Sequence, residues 1–350
     1  MPKESIQHID FNELNKKAIS QPLIKQIFTA DPSAHVFNGK IYIYPSHDID
    51  VSEAFDDLGS HFAMEDYHVI SMDSPTSEAK DNGIALSVND VPWAQKQMWA
   101  PDAAEKDGKY YLFFPAKDYD GIFRIGVAVS NSPVGPFTPQ YEAIKNSFSI
   151  DPAVFKDDDR SYYMYFGGIW GGQLQRWRNG TFNAESPESP TAHLPKENEP
   201  ALCPKVAKLT DDLLEFAEEP KDVLILDENA NPLLQGDIYR RFFEASWMHK
   251  YKGKYYFSYS TGDTHFICYA IGDNPSGPFT YAGKILNPVV GWTSHHSIVE
   301  FEGEWYLFYH DSSLSKGVTH LRSIKVTKLV HDENGLIQTI NPYGNLKVLV

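Results

Sequence analysis

Asp102-Ala103-Ala104-Glu105-Lys106-Asp107-Gly108-Lys109-Tyr110-Tyr111-Leu112-Phe113 sets a polar residue before a short apolar run, then an Asp-Gly turn, then an aromatic strand. Asp-Gly between two such segments is the sequence form of a β-hairpin, because a two-residue turn matching strand twist needs positive φ at both positions. A single copy would occur in any β protein, but this chain carries five. Asp31-Pro32 leads through Val36-Phe37-Asn38-Gly39-Lys40 to Ile41-Tyr42-Ile43. Asp151-Pro152-Ala153-Val154-Phe155 leads through Asp157-Asp158-Asp159 to Tyr162-Tyr163-Met164-Tyr165. Glu244 leads through Lys252-Gly253-Lys254 to Tyr255-Tyr256-Phe257. His295-His296-Ser297-Ile298 leads through Glu302-Gly303-Glu304 to Trp305-Tyr306-Leu307-Phe308-Tyr309.

A second element follows some hairpins: Ser130-Asn131-Ser132-Pro133-Val134-Gly135-Pro136-Phe137, and again Gly272-Asp273-Asn274-Pro275-Ser276-Gly277-Pro278-Phe279, with a truncated relative at Asp73-Ser74-Pro75-Thr76. Its Pro and Gly residues end a strand, so each unit holds about four strands, as a propeller blade does. The expectation is an all-β, five-bladed β-propeller forming one domain over residues 1–350, with about 1–25 as an N-terminal segment available to close a blade. Residues 171–240, the longest interruption between copies, read as loops, with Thr210–Phe216 as a short helical turn. The innermost strand of every blade runs along the central axis. The polar residues that open the copies, Asp31, Asp102, Asp151, Glu244 and His295 or His296, are therefore candidates to meet at one mouth of the channel.

Bulk properties narrow the function. Aromatic residues make up 14% of the chain, with 20 Tyr and 21 Phe, which suits flat side chains filling the wedges between sheets. A formal net charge of -16, with no Lys/Arg stripe, excludes a nucleic-acid partner. Two cysteines, Cys203 and Cys268, are too few for a disulfide framework. No apolar run approaches the length of a membrane span, and Met1-Pro2-Lys3-Glu4-Ser5 opens a polar stretch without the apolar core of a signal peptide; the default expectation is a cytoplasmic protein.

A pocket with two or three acids and few bases suits hydrolysis of a glycosidic bond. One carboxylic acid protonates the leaving oxygen, and one carboxylate activates water or attacks directly. The two must differ in pKa, and a neighbouring third carboxylate helps to keep one of them protonated. Thr29-Ala30-Asp31-Pro32, Ser149-Ile150-Asp151-Pro152 and Phe243-Glu244-Ala245-Ser246 resemble, in this order, the general-base, pKa-tuning and general-acid motifs of glycoside hydrolase family 43. That family comprises five-bladed propellers acting on xylan and arabinan fragments with inversion. The resemblance implies Asp31 as base, Glu244 as acid and Asp151 as the group that holds Glu244 protonated. Ala245-Ser246 departs from the Gly-Pro that many members carry after the acid. Asp102 keeps the ordinary role of an Asp at a strand start.

The same resemblance extends to binding residues. Trp292-Thr293-Ser294-His295-His296-Ser297 is similar to the family's Gly-His-x-Ser segment, which selects His295 as the residue that holds a calcium ion through water. Trp99 resembles a pocket-lining tryptophan whose face stacks on a sugar ring, and Arg322 the arginine that contacts sugar hydroxyls and neighbouring carboxylates. Gln173, within Gly167–Arg176, is placed to reach the ligand. The implied activity is an exo-acting β-xylosidase on short xylo-oligosaccharides. An α-L-arabinofuranosidase or a bifunctional enzyme is the alternative on the same fold, and a non-catalytic glycan-binding propeller the alternative from another class.

Overall fold

Four of the five turns have positive φ at both central residues: 52° and 74° at Asn38 and Gly39, 53° and 77° at Asp107 and Gly108, 48° and 77° at Lys252 and Gly253, 52° and 82° at Glu302 and Gly303. These are type I′ hairpin turns, whose twist matches that of the strands they join. The computed structural model describes residues 9–51 and 55–344; the polar opening Met1–Ser5 lies outside them.

Blade I contains β1 (Phe28–Phe37), β2 (Lys40–Asp48), β3 (Asp66–Met72) and β4 (Lys80–Ser87), paired in that order. Blade II is built from β5 (Ala94–Lys96), β6 (Asp102–Lys106), β7 (Lys109–Asp118), β8 (Phe123–Ser130) and β9 (Thr138–Pro139); both β5 and β6 pair with β7. Blade III has β10 (Ala153–Lys156), β11 (Tyr162–Phe166), β12 (Lys205–Lys208) and β13 (Lys221–Asp222). In blade IV, β15 (Glu244–Tyr251), β16 (Lys254–Ser260), β17 (Ile267–Gly272) and β18 (Phe279–Leu286) run antiparallel, and β14 (Ile225–Leu226) adds in parallel to β18. Blade V has three strands, β19 (His296–Phe301), β20 (Glu304–Asp311) and β21 (Ser323–Leu329).

The innermost strands β1, β6, β10, β15 and β19 each touch the next, and β19 touches β1, so the ring closes into a five-bladed propeller. Aromatic side chains fill the wedges between blades. Tyr44, Tyr67, Tyr110 and Phe114 lie in the core between blades I and II, and Tyr111, Phe113, Tyr162 and Phe166 in that between II and III. The three-stranded blade V leaves β21 at its edge, and residues 20–29 lie along it: Leu23 N–H donates to Ile324 O at 2.9 Å, and Thr29 N–H to Arg322 O at 2.9 Å. Ahead of this segment α1 (Phe11–Lys17), capped by the Asp10 carboxylate, buries Leu14 against Val290 and Tyr343.

Two local expectations are corrected. Thr210–Phe216 is not helical: Leu209 and Phe216 form a β-bridge, and the Thr210 hydroxyl accepts from Glu215 N–H at 3.2 Å, so the side chain closes a tight turn. The stretch 171–240 is not all loop, because it carries both outer strands of blade III as well as β14.

Candidate active site

Every blade delivers residues to one cavity of about 650 Å³ from the start of its innermost strand: Asp31 from β1, Trp99 and Ala100 ahead of β6, Asp151 ahead of β10, Glu244 at the start of β15, and His295 ahead of β19. The backbone is bent to do so. Asp31, Asp151 and Ala245 have φ of 49°, 56° and 64°, and the pairing of β1 with β2 and of β15 with β16 slips at Ala30/Ser33 and Glu244/Trp247. Bulges of this kind re-aim a side chain, and each left-handed non-glycine residue costs about 1–3 kcal/mol and persists only where its surroundings hold it there. Here they do: Asp31 N–H donates to His310 Nδ1 at 2.9 Å, and Ala245 N–H donates to Asp151 Oδ2 at 2.8 Å. The left-handed φ at Ala245 also accounts for the glycine that the family pattern prefers there.

Electrostatics separate the carboxyl groups. Burial pushes Asp31 up, but the Arg322 guanidinium, 2.9 Å from Oδ1, with His295, His310 and the Ser46 hydroxyl 2.7 Å from Oδ2, brings it down to about 2. Glu244 is raised to about 8, by burial first and then by the Asp31 charge. Asp151 is raised as well, by burial and by Glu244 and Asp31. Near neutrality the cavity thus holds one carboxylate beside a permanent cation and a carboxylic acid beside a third carboxyl group. Arg322 is locked in turn by Asp48, with Nε to Oδ2 at 2.8 Å and a second guanidinium nitrogen to Oδ1 at 2.7 Å. His310 accepts from Asp31 N–H through Nδ1, so its proton lies on Nε2 facing Thr293; burial holds it down to about 3, and its 3.4 Å approach to Asp31 is not an ion pair at neutral pH.

The walls are aromatic. Trp99 lines the cavity edge-on to Phe62 with its Nε1–H on Phe62 O at 2.8 Å, and Trp170 and Trp292 line it from other blades, with ring centroids 5.6 Å apart. Gln173 does not reach it: Oε1 accepts from Phe123 N–H and Nε2 donates to Gly121 O, both at 2.9 Å, so its amide braces blade II. From Gly167–Arg176 the residues that do line the cavity are Trp170, Gly171 and Gly172. Asp102 does not line the cavity and joins three blades, accepting from the Ser33 hydroxyl, from His35 at 2.6 Å and from Val154 N–H. His296 turns away to Ser258 Oγ at 2.6 Å.

Ser46, Asp48, His310, Trp170 and Trp292 escaped the reading of the sequence. For the first three a signal existed: hairpin register sets the end of a second strand opposite the start of the first, and Ala30 faces Ser46 while Phe28 faces Asp48. Polar residues closing an otherwise apolar second strand therefore border the same mouth.

A propeller with an ionised and a protonated carboxyl at its channel mouth defines a class of proteins that cleave glycosidic bonds. Comparison with known proteins gives the particular family. The model of glycosyl hydrolases family 43 matches residues 19–199, and the chain belongs to that family. It is 62% identical to Xylosidase/arabinosidase 43A of Humicola insolens, over 92% of this chain and 99% of that protein. It is 57% identical to a β-xylosidase of Xylanibacter ruminicola, over 89% and 97%. Among solved structures, a family 43 β-xylosidase/α-arabinofuranosidase from a compost microbial metagenome, bound to xylotriose in a calcium-free form, superposes with a TM-score of 0.90 at 64% identity, covering 93% of this chain and 98% of that one. The protein is a glycosidase, and the non-catalytic alternative is set aside.

The calcium-free form of that relative raises the question of a cation here. His295 Nδ1 lies 3.5 Å from Asp31 Oδ1 and 4.0 Å from Asp151 Oδ2, both too long for good hydrogen bonds, and burial holds the imidazole neutral, down to about 4. A neutral ring with carboxylate oxygens close by suits a cation whose shell is completed mainly by water, since calcium takes about six to eight oxygens.

Proposed function

We propose that the protein removes terminal xylose from short β-1,4-linked xylo-oligosaccharides by single displacement with inversion, with Asp31 as general base and Glu244 as general acid. The observation that carries this reading is the opposed displacement of the two carboxyl groups in one cavity, Asp31 down to about 2 and Glu244 up to about 8. At neutral pH each group is in the protonation state its role demands. Asp31 takes a proton from water, the water oxygen bonds to the anomeric carbon, the glycosidic C–O bond breaks, and Glu244 gives its proton to the departing oxygen. Asp151 orients the turn after Glu244 through Ala245 N–H, while burial and the Asp31 charge keep the acid protonated. Trp99 offers a flat face to the sugar. Arg322 contacts its hydroxyls while holding Asp31 ionised. His295 with water would hold calcium, which would supply fixed positive charge to the site.

A second reading, an α-L-arabinofuranosidase on the same residues, is favoured by the dual names of the relatives from Humicola insolens and the compost metagenome. Rates on the 4-nitrophenyl β-xyloside and α-L-arabinofuranoside separate the two. Asp31→Ala is expected to lower kcat on xylobiose by about 10²–10⁴-fold, and Glu244→Ala likewise, with a smaller loss on nitrophenyl glycosides, whose leaving group needs little protonation. Undiminished turnover of xylobiose by either variant removes that residue from its role.

A further inference from the structure

On the two middle strands of blade I, His47 of β2 and Asp66 and His68 of β3, none of which lines the cavity, bring three metal-ligating atoms within 4.8 Å of one another. Asp66 and His68 are two residues apart on one strand and so share a face. Ser46 pairs with Tyr67, which brings His47 alongside that face. All three side chains are partly buried, and the two imidazole centroids are 4.5 Å apart.

The proton positions single the cluster out. His68 Nδ1 lies 2.9 Å from Asp81 Oδ1, and that carboxylate is itself held by Gly83 N–H at 2.8 Å. A carboxylate only accepts, so Nδ1 carries the proton, and in the neutral ring Nε2 presents a bare lone pair. Nε2 faces Asp66 Oδ1 at 3.8 Å, a separation no hydrogen bond spans. A carboxylate that fixes the tautomer of an imidazole from behind, leaving its far nitrogen directed at other donors, is the arrangement that supports a metal-bound histidine. On the other side His47 Nδ1 lies 2.6 Å from the same Oδ1. Tetrahedral zinc, with bonds of about 2.0–2.2 Å, needs donors about 3.3 Å apart, so the set closes on a cation with shifts of under about 1 Å.

We propose that His47, Asp66 and His68 form a site for a Zn²⁺-class divalent cation, with Asp81 as the supporting carboxylate and water in the fourth position. Two imidazoles and one carboxylate select a borderline transition metal over calcium. On binding, His47 Nδ1 gives up its proton to solvent while the ring keeps its proton on Nε2, and the bonded cation pins β2 to β3 one residue from Asp48, the anchor of Arg322.

Titration calorimetry of the full chain with Zn²⁺, in buffer with and without excess Ca²⁺, tests this. The expected result is one equivalent of Zn²⁺, retained in excess Ca²⁺, that raises the Tm of the wild-type protein. His68→Gln loses that equivalent and the Tm rise, and Asp81→Asn weakens it by about 10–100-fold. Equal stoichiometry and affinity in the wild type and His68→Gln, no binding by the wild type, or displacement by Ca²⁺ overturns the proposal. Should His68→Gln fail to fold, crystals of the wild type soaked in Zn²⁺ decide: an anomalous peak between the three donor atoms supports the site, and peaks only elsewhere overturn it.

Discussion

Asp31 and Glu244 are the same functional group in one cavity, and their difference lies in what surrounds each. Asp31 has a permanent cation at 2.9 Å and a hydroxyl at 2.7 Å; Glu244 has burial and a neighbouring negative charge. The folded pKa of Glu244 lies above its ordinary 4.5, so the fold favours the protonated form. The resulting stability is fully present below about 4.5 and is lost as pH rises through about 8. Two outcomes follow. The rate on xylobiose should fall above about pH 8 in the wild type. Glu244→Gln should gain stability relative to the wild type by on the order of 2 kcal/mol between about pH 6 and pH 9, measured by urea unfolding; a constant difference across that range would contradict the raised pKa. Asp31 works in the opposite sense, since its depressed pKa contributes stability above 3.8 that is lost as pH falls through about 2. The acids themselves were legible in the sequence because each opens a repeat. Asp48, which orients Arg322, was not, because it closes a second strand and gains meaning only once Phe28 and Asp48 are paired.

At the scale of elements, bends in otherwise regular strands aim the site. The bulges at Ala30/Ser33 and Glu244/Trp247 turn the side chains at two strand starts toward the axis, and the 167–172 segment closes against the second, with Ile169 N–H donating to Phe243 O at 3.0 Å. Its glycines are spacers. A Cβ on Gly171 would meet the Leu58 carbonyl oxygen at 2.5 Å and Trp99 at 3.2 Å, and one on Gly168 would meet Ile150 at 2.6 Å and Glu244 Cβ at 3.3 Å. Gly171→Ala is therefore expected to lower kcat/KM by about 10–100-fold through displaced backbone, with little change in the far-ultraviolet spectrum; unaltered kinetics would show that the segment yields freely. Gln173 illustrates why the ligand-facing member of this segment was misread: at φ 68° it turns its amide to the blade II backbone, while Trp170, at φ 57°, turns into the cavity. Hairpins with Gly in the turn were readable since that conformation demands particular residues. The outer strands of blade III were not, because β12 follows β11 only after a long excursion and no short turn joins them.

Across the whole molecule, five blades in a ring let residues more than a hundred positions apart share a mouth, and the ring is only as firm as its closure. Blade V has three strands, and residues 20–29 bond to its open edge while Ile24 is buried in the core. We propose that this segment completes blade V and so firms the closed ring. A chain beginning at residue 26 should lose about 3–5 kcal/mol from hydrogen bonds and apolar burial, with a Tm lower by roughly 10 °C; an unchanged Tm would assign closure to other contacts. Ring size also sets the spacing of acid and base, and inversion needs carboxyl groups about 6.5–9.5 Å apart, with a water between the base and the sugar. Proton NMR of xylobiose hydrolysis, followed from the first turnovers, tests that geometry most directly. The α-anomer of xylose appearing first and mutarotating afterwards is the result expected of Asp31 acting on water; the β-anomer appearing first would mean direct attack on the sugar and would contradict it.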